Sequence, residues 1–289
     1  ATAALYAYLC SDTRSILAAV IAGLCTLLPS SEIAVIFVNR IVCRTLPPFI
    51  FPRLELRDGI PEEMSTVVAV PTLLSDVGRV HDILKGLEGH YLANREKNLY
   101  FALIGACRDA DSKHLESDAA IIETALKGIR ELNAKYAAGG EDIFFFFNRE
   151  RRFSACNNKW IGWERKRGAL IEFNDLVLGF NDTSFTVKSN ESPPFSHIRY
   201  IITLDCDTVL PFGAAKSMIG VMAHPLNRPV ADKRRNIIAE GYGIMQPSVE
   251  VDLDSANQSI FSRILTGQAG IDPYANAVSN VYQDLFGEG

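Results

Sequence analysis

The sequence predicts an α/β protein: a mostly parallel, Rossmann-like sheet with flanking helices, preceded by an apolar helical N-terminal segment. Three observations predict it. Short apolar runs rich in β-branched and aromatic residues (Thr66–Val70, Asn98–Gly105, Asp142–Phe147 and Tyr200–Leu204) have the continuous hydrophobicity of strands covered on both faces. Amphipathic stretches separate them, so strand and helix alternate as in a parallel sheet with right-handed crossovers. Finally, Asp205 and Asp207 follow the last of these runs, and in open α/β sheets ligands bind outside the carboxyl ends of the strands.

At the N-terminus, Ile16–Leu28 and Ile33–Cys43 are far more apolar than the remainder of the chain, with Pro29, Ser30, Ser31 and Glu32 between them. Each is shorter than the ~20 residues of a membrane span. The pair therefore reads as a membrane hairpin, as two interfacial helices, or as a helical hairpin in a soluble core. Arg40 and Arg44 are placed to meet headgroups on a cytoplasmic face. Residues 45–61, TLPPFIFPRLELRDGIP, hold four prolines and Asp58-Gly59, and form a linker. The expected division is 1–57 as N-terminal segment and linker, then 58–289 as the α/β domain.

The first strand, 66–70, is expected to break at Pro71, with Thr72 in the loop beyond. Asp76 is placed to cap a helix reaching about Tyr91. The second strand leads into Cys107, Arg108, Asp109, Ala110 and Asp111, then a helix over 115–136 stopped by Gly139-Gly140. Four consecutive phenylalanines, 144–147, make sense only in a strand buried on both sides. A helix is expected over 160–180, a polar surface loop over 181–194, and a helix from Pro211 to about His224. Asn236–Val249 reads as a strand or hairpin in which Gly241 and Gly243 mark a close approach. Helices are expected over 253–265 and 274–286, and Gly287-Glu288-Gly289 has the look of a cut end.

A net charge of −5 excludes a typical nucleic-acid binder, and 48% hydrophobic with 22% charged residues excludes wholesale disorder. The six cysteines form no C-x-x-C pair and read as reduced residues of a cytosolic compartment.

Two acids at alternate positions of extended backbone share a face and can hold a divalent cation through hard oxygens. The plainer reading of Asp205 and Asp207 is a turn or a helix cap. Lys166 and Arg167 can neutralise phosphate or merely form a solvated helix face; Asp109 can bind a ribose or base, or simply begin a turn. Together these groups suit a nucleoside diphosphate held with Mg²⁺ or Mn²⁺.

LPPFIFPRLELRDGIPEE, VVAVPTLL, WERKRGALIEFN, YIITLDCDTVLP, MAHPLNRPV, GYGIMQPSV and GIDPYANAVSNVYQDLFGEG resemble the glycosyltransferase domain of cyclic β-1,2-glucan synthases. The resemblance implies a GT-A fold and a membrane-spanning N-terminal region at a bacterial inner membrane, with the active site facing the cytoplasm. It also implies an inverting transfer of glucose from UDP-glucose to a growing β-glucan within a larger synthase polypeptide. Asp205 and Asp207 would hold the metal and UDP as the catalytic pair. Asp109 would lie near uridine and Lys166, Arg167 and Gly168 near the nucleotide, while Pro71 and Thr72 join the site by the strand-end rule. In similar processive enzymes the acceptor-side acid and a Q-x-x-R-W motif follow the matched region, so the general base is expected outside the chain; neither Asp284 nor Glu288 is assigned that role. Two further readings stay open: a phosphotransferase of haloacid-dehalogenase type with Asp205 as nucleophile, whose motif normally follows the first strand of the core, and a non-catalytic nucleotide- or carbohydrate-binding module.

Overall fold

A computed structural model of the protein describes residues 16–46, 50–137, 140–180, 182–191 and 193–247. The chain divides into two compact units, one of residues 1–51 with 244–289 and one of residues 52–243.

In the first unit, Ile16–Thr45 is one helix of 30 residues, α1, that runs through Pro29. This corrects the expectation that residues 29–32 separate two pieces. A proline's fixed φ is itself helical and forgoes a single i→i−4 bond, too little to end a helix with long apolar flanks. Within α1, Gly23–Val42 is a 20-residue stretch apolar enough to cross a membrane, with none of it buried in the protein.

The second unit is built on five strands in the order β6-β3-β2-β1-β7. In chain order its elements are β1 (Thr66–Leu74), α2 (Val77–Ala93), β2 (Leu99–Cys107), α3 (Glu116–Tyr136), β3 (Phe144–Arg149), the small strands β4 (Arg152–Ser154) and β5 (Lys159–Ile161), α4 (Arg165–Val177), β6 (Phe185–Lys188), β7 (Tyr200–Thr203), α5 (Ala214–Ala223), β8 (Val230–Asp232) and β9 (Ile237–Glu240). β1, β2, β3 and β7 are parallel, and β6 runs antiparallel to β3 at one edge. From β1 the chain steps through β2 to β3, then places β7 on the other side of β1. The strand order thus reverses at β1, and the crevice beside the carboxyl ends of β1 and β7 is where such sheets receive ligands.

Alternation across the sheet builds two cores. Val68, Val70, Leu74, Phe101, Leu103, Phe144 and Phe146 pack with α2 and α3, including Val80, Leu87, Ile121 and Ile129. Val67, Ala69, Ala102, Ile104, Phe145 and Phe147 pack with Ala169 and Phe173 of α4 and with Phe185 and Phe195. The four phenylalanines of β3 are fully buried, as a strand covered on both faces requires. Asp76 caps α2 by accepting from the Arg79 backbone N–H at 2.9 Å, as expected.

Several boundaries differ from expectation. β1 does not break at Pro71 but continues in register with β2 to Leu74. Proline fits because the Ala69 carbonyl accepts from Leu204 N–H on the β7 side, 3.0 Å, and position 71 faces that same side just past the last β1–β7 pair, Ala69↔Thr203. β7 is half-buried, with Thr203 exposed, because it forms the edge of the sheet among the described residues. The expected 160–180 helix starts only at Arg165, since Trp160 is in the β4–β5 hairpin. The stretch read as a polar loop contributes β6: Phe185 enters the core while Thr186 faces solvent at the edge. Of the strand or hairpin expected over 236–249, β9 forms at its start, but its partner β8 lies upstream of that stretch, and the pair stands apart from the main sheet. Gly241, with φ +69, lets the Arg228 carbonyl come within 2.0 Å of where a Cβ would lie. The helices expected over 253–265 and 274–286 lie outside the described residues.

The segment 52–54 is fastened to α5: Leu54 N–H donates to the Gly220 carbonyl at 3.0 Å, and a Cβ at Gly220 would lie 2.4 Å from the Leu54 carbonyl oxygen. Gly220→Ala is therefore expected to lift this segment and destabilise the unit by about 1–3 kcal/mol, read as a lower urea midpoint at unchanged slope. An unchanged midpoint would mean that the segment does not hold α5.

Candidate functional site

Beyond Ala69 and Leu204 the regular parallel ladder would next bond the nitrogen of residue 71 to the Leu204 carbonyl. Proline has no hydrogen to give. The chain leaves the ladder, and Asp205 accepts from Thr208 N–H at 3.0 Å in a tight turn. Asp205 and Asp207 are therefore on a turn rather than on extended backbone, which corrects the geometric argument for their shared face. Both are exposed.

The loop carrying them is anchored on the last turn of α2. Buried Asn94 donates to the Pro211 carbonyl at 3.0 Å and accepts from Ala215 N–H at 3.0 Å. His90 Nδ1 accepts from Leu210 N–H at 3.3 Å. Burial holds the His90 imidazole below the ordinary histidine range, which keeps that nitrogen an acceptor.

Two cations of the α4 start reach two acids on different strand ends. Lys166 Nζ pairs with the Asp205 carboxylate, and Arg165 Nη2 donates to Asp109 Oδ2 at 2.7 Å. Asp109 lies on the loop after β2, so the rim is continuous from β2 across β1 to β7. Arg167 points elsewhere, 3.6 Å from Glu164 on an exposed face. Gly168 is required locally, since a Cβ there would lie 2.1 Å from the Trp163 carbonyl oxygen. Thr72 is at the end of β1, paired in register with Gly105 of β2, which in turn pairs with Asn148 of β3. The Thr72 hydroxyl and Asn148 Oδ1 are buried without a hydrogen-bond partner in the protein. Pro71 is buried and contributes to the site through the missing ladder bond.

Two arginines at the end of β3 brace this rim. Arg149 is fully buried; its Nε donates to Glu172 Oε2 at 2.8 Å, and Nη1 and Nη2 donate to the carbonyls of Arg165 and Trp163 at 2.9 and 2.8 Å. Ser184 hydrogen-bonds the same Glu172 carboxylate. Arg151 donates to Asp118 through both terminal guanidinium nitrogens, at 2.5 and 2.9 Å, and through Nε to the Arg108 carbonyl at 2.6 Å, so it fixes the Asp109 loop. That loop also pairs with β5, Ala110 and Trp160 exchanging backbone bonds at 2.9 and 2.8 Å. Burial alone would raise the Asp118 carboxyl, but Arg151 and the Leu115 N–H outweigh it and hold it below the usual carboxylate range. Burial, with Asp118 nearby, pushes the Cys107 thiol up to about 11.

Sequence reasoning missed Arg149, Arg151, Glu172, Asp118, Asn94, His90 and Arg165. One signal was present: N-R-E-R-R directly after a doubly buried Phe run places two arginines where solvent is scarce. Among the described residues, no three His, Cys, Asp or Glu side chains gather to hold a metal alone.

No protein-family model matches the chain. Over 263 residues it is 40% identical to the cyclic beta-(1,2)-glucan synthase NdvB of Rhizobium meliloti (strain 1021). The match covers 91% of this chain and 9% of that relative, so the chain spans less than a tenth of the length of the protein it resembles.

Proposed function

We propose, from the premise that the chain is a cyclic glucan synthase-related region, that it is a GT-A-type glucosyltransferase module that binds UDP-glucose and serves β-1,2-glucan synthesis. The observation that carries this reading is the pairing of Lys166 with Asp205 and of Arg165 with Asp109 on one rim, at the strand-order reversal. Alternating acids and cations of this kind suit a nucleotide diphosphate, which brings negative charge for the cations and ligand oxygens for a metal.

Asp205 and Asp207 would hold Mg²⁺ or Mn²⁺, ions that take one or two carboxylates and complete their shell with water and substrate phosphates. When bound, the ion would neutralise charge developing on the departing diphosphate. Lys166 supplies a second positive charge there. Thr72, towards the rim end of β1, and the Asp109 oxygen not bonded to Arg165 would meet the nucleoside. Joining a β-linkage from an α-linked donor requires inversion, with a base taking the proton of the attacking 2-hydroxyl; no residue of this chain is assigned that task. α1 would anchor the module to the bacterial inner membrane, the rim facing the cytoplasm and the acceptor being a growing β-glucan within a larger synthase polypeptide.

The test is calorimetric titration of the 289-residue chain with UDP-glucose in the presence of Mn²⁺. Binding is expected, and Asp207→Ala is expected to weaken it at least ~30-fold, roughly 2 kcal/mol. No binding, or equal binding by the variant, overturns the donor site. Hydrolysis of a generic phosphoester that vanishes in Asp205→Asn would replace it with the phosphotransferase reading.

A further inference from the structure

We propose that Arg149 is a positioning residue for the diphosphate-binding cations, acting through the backbone of the Trp163–Arg165 turn; this rests on the donor reading above. Arg165 and Lys166 are consecutive residues at the start of α4 and reach acids on two different strand ends. The turn that delivers them is left-handed at both Glu164 and Arg165, with φ of 50° and 47°. Neither is glycine. Such residues persist only where their surroundings over-determine them.

Arg149 provides that determination. Its side chain is 0% exposed, and Glu172 neutralises it from one edge. An arginine serving only to join β3 to α4 would need no more than this pair. Instead its two remaining nitrogens grip the carbonyls of Trp163 and Arg165, on either side of the left-handed Glu164. Gly168 completes the turn by admitting the Trp163 carbonyl where a Cβ would lie. Arg149 acts through the backbone carbonyls of the turn; what it fixes is the direction of Arg165 and Lys166, while Arg167 is left to Glu164.

A double-mutant cycle on the 289-residue chain separates positioning from general support. UDP affinity with Mn²⁺ is measured for wild type, Arg149→Met, Lys166→Gln and the double variant. Arg149→Met is expected to weaken UDP ~10–30-fold, and adding Lys166→Gln is expected to cost no more than ~2-fold further, because the cation is already misdirected. Arg149→Met combined with Thr72→Val, a group outside the turn, is expected to show independent, multiplicative losses. Multiplicative losses for Arg149 and Lys166, or unchanged UDP binding in Arg149→Met, overturn the inference while leaving the donor site standing. Failure of the wild type to bind UDP removes both. Should Arg149→Met fail to fold, Arg149→Lys, which keeps a cation for Glu172 but lacks the guanidinium fork that spans both carbonyls, is read by the same cycle.

Discussion

Replacing Asp118 by asparagine is expected to destabilise the second unit by about 3–5 kcal/mol at neutral pH, the range for removing one partner of a buried ion pair. The reason is what remains behind. Arg151 has a side chain 4% exposed, and its bonds to the Arg108 and Lys113 carbonyls carry no countercharge. The effect has a definite pH dependence. Asp118 has its folded carboxyl depressed below the unfolded value, so its contribution is complete above the unfolded carboxylate range and is lost as pH falls through the folded value. Melting of wild type and Asp118→Asn followed from pH 7 to pH 3 should therefore show the gap closing at acid pH. A gap that is constant across this range would show that the pair contributes through shape alone.

The largest expected loss of stability from apolar truncation is at Phe147. Its ring meets those of Phe173, Phe185 and Phe195 with centroids 5.6, 5.7 and 5.7 Å away, joining β3, α4, β6 and the turn before β7. Phe147→Ala is expected to cost about 3–5 kcal/mol through lost transfer energy and a residual cavity. Phe153→Ala, an exposed aromatic on β4, should cost under about 1 kcal/mol. Denaturant midpoints decide it: similar shifts for the two variants would mean that the aromatic cluster does not organise this face.

Much of the fold was legible because strands buried on two faces leave an unambiguous pattern. Phe144–Phe147 and Thr66–Val70 can be read in no other way, and Asp76 announces its helix by chemistry local to the chain. β6 was not legible: an edge strand needs one buried ring, and Phe185 in a polar segment resembles a loop. The acids of the rim were visible at Asp109, Asp205 and Asp207, as was Lys166. Their bracing was not. Arg149 and Arg151 look like solvated charges until tertiary structure closes over them, and Arg165, rather than Arg167, reaches the rim, from a left-handed turn that no residue-type pattern announces. The relationship to a glucan synthase rested on many short matches spread along the chain, which is why it survived these local misreadings.

Pro71 has a consequence for how the crevice can behave. A sheet edge ordinarily offers unpaired donors, and a neighbouring strand can lengthen along them until the gap beside it seals. Position 71 interrupts that process, because the ring nitrogen has no hydrogen to offer the Leu204 carbonyl. β7 stops at Thr203, and the segment carrying Asp205 and Asp207 is released into a turn. The separation at the mouth is thus written into a covalent bond rather than left to packing or to the presence of a ligand. No rearrangement of side chains can zip it closed.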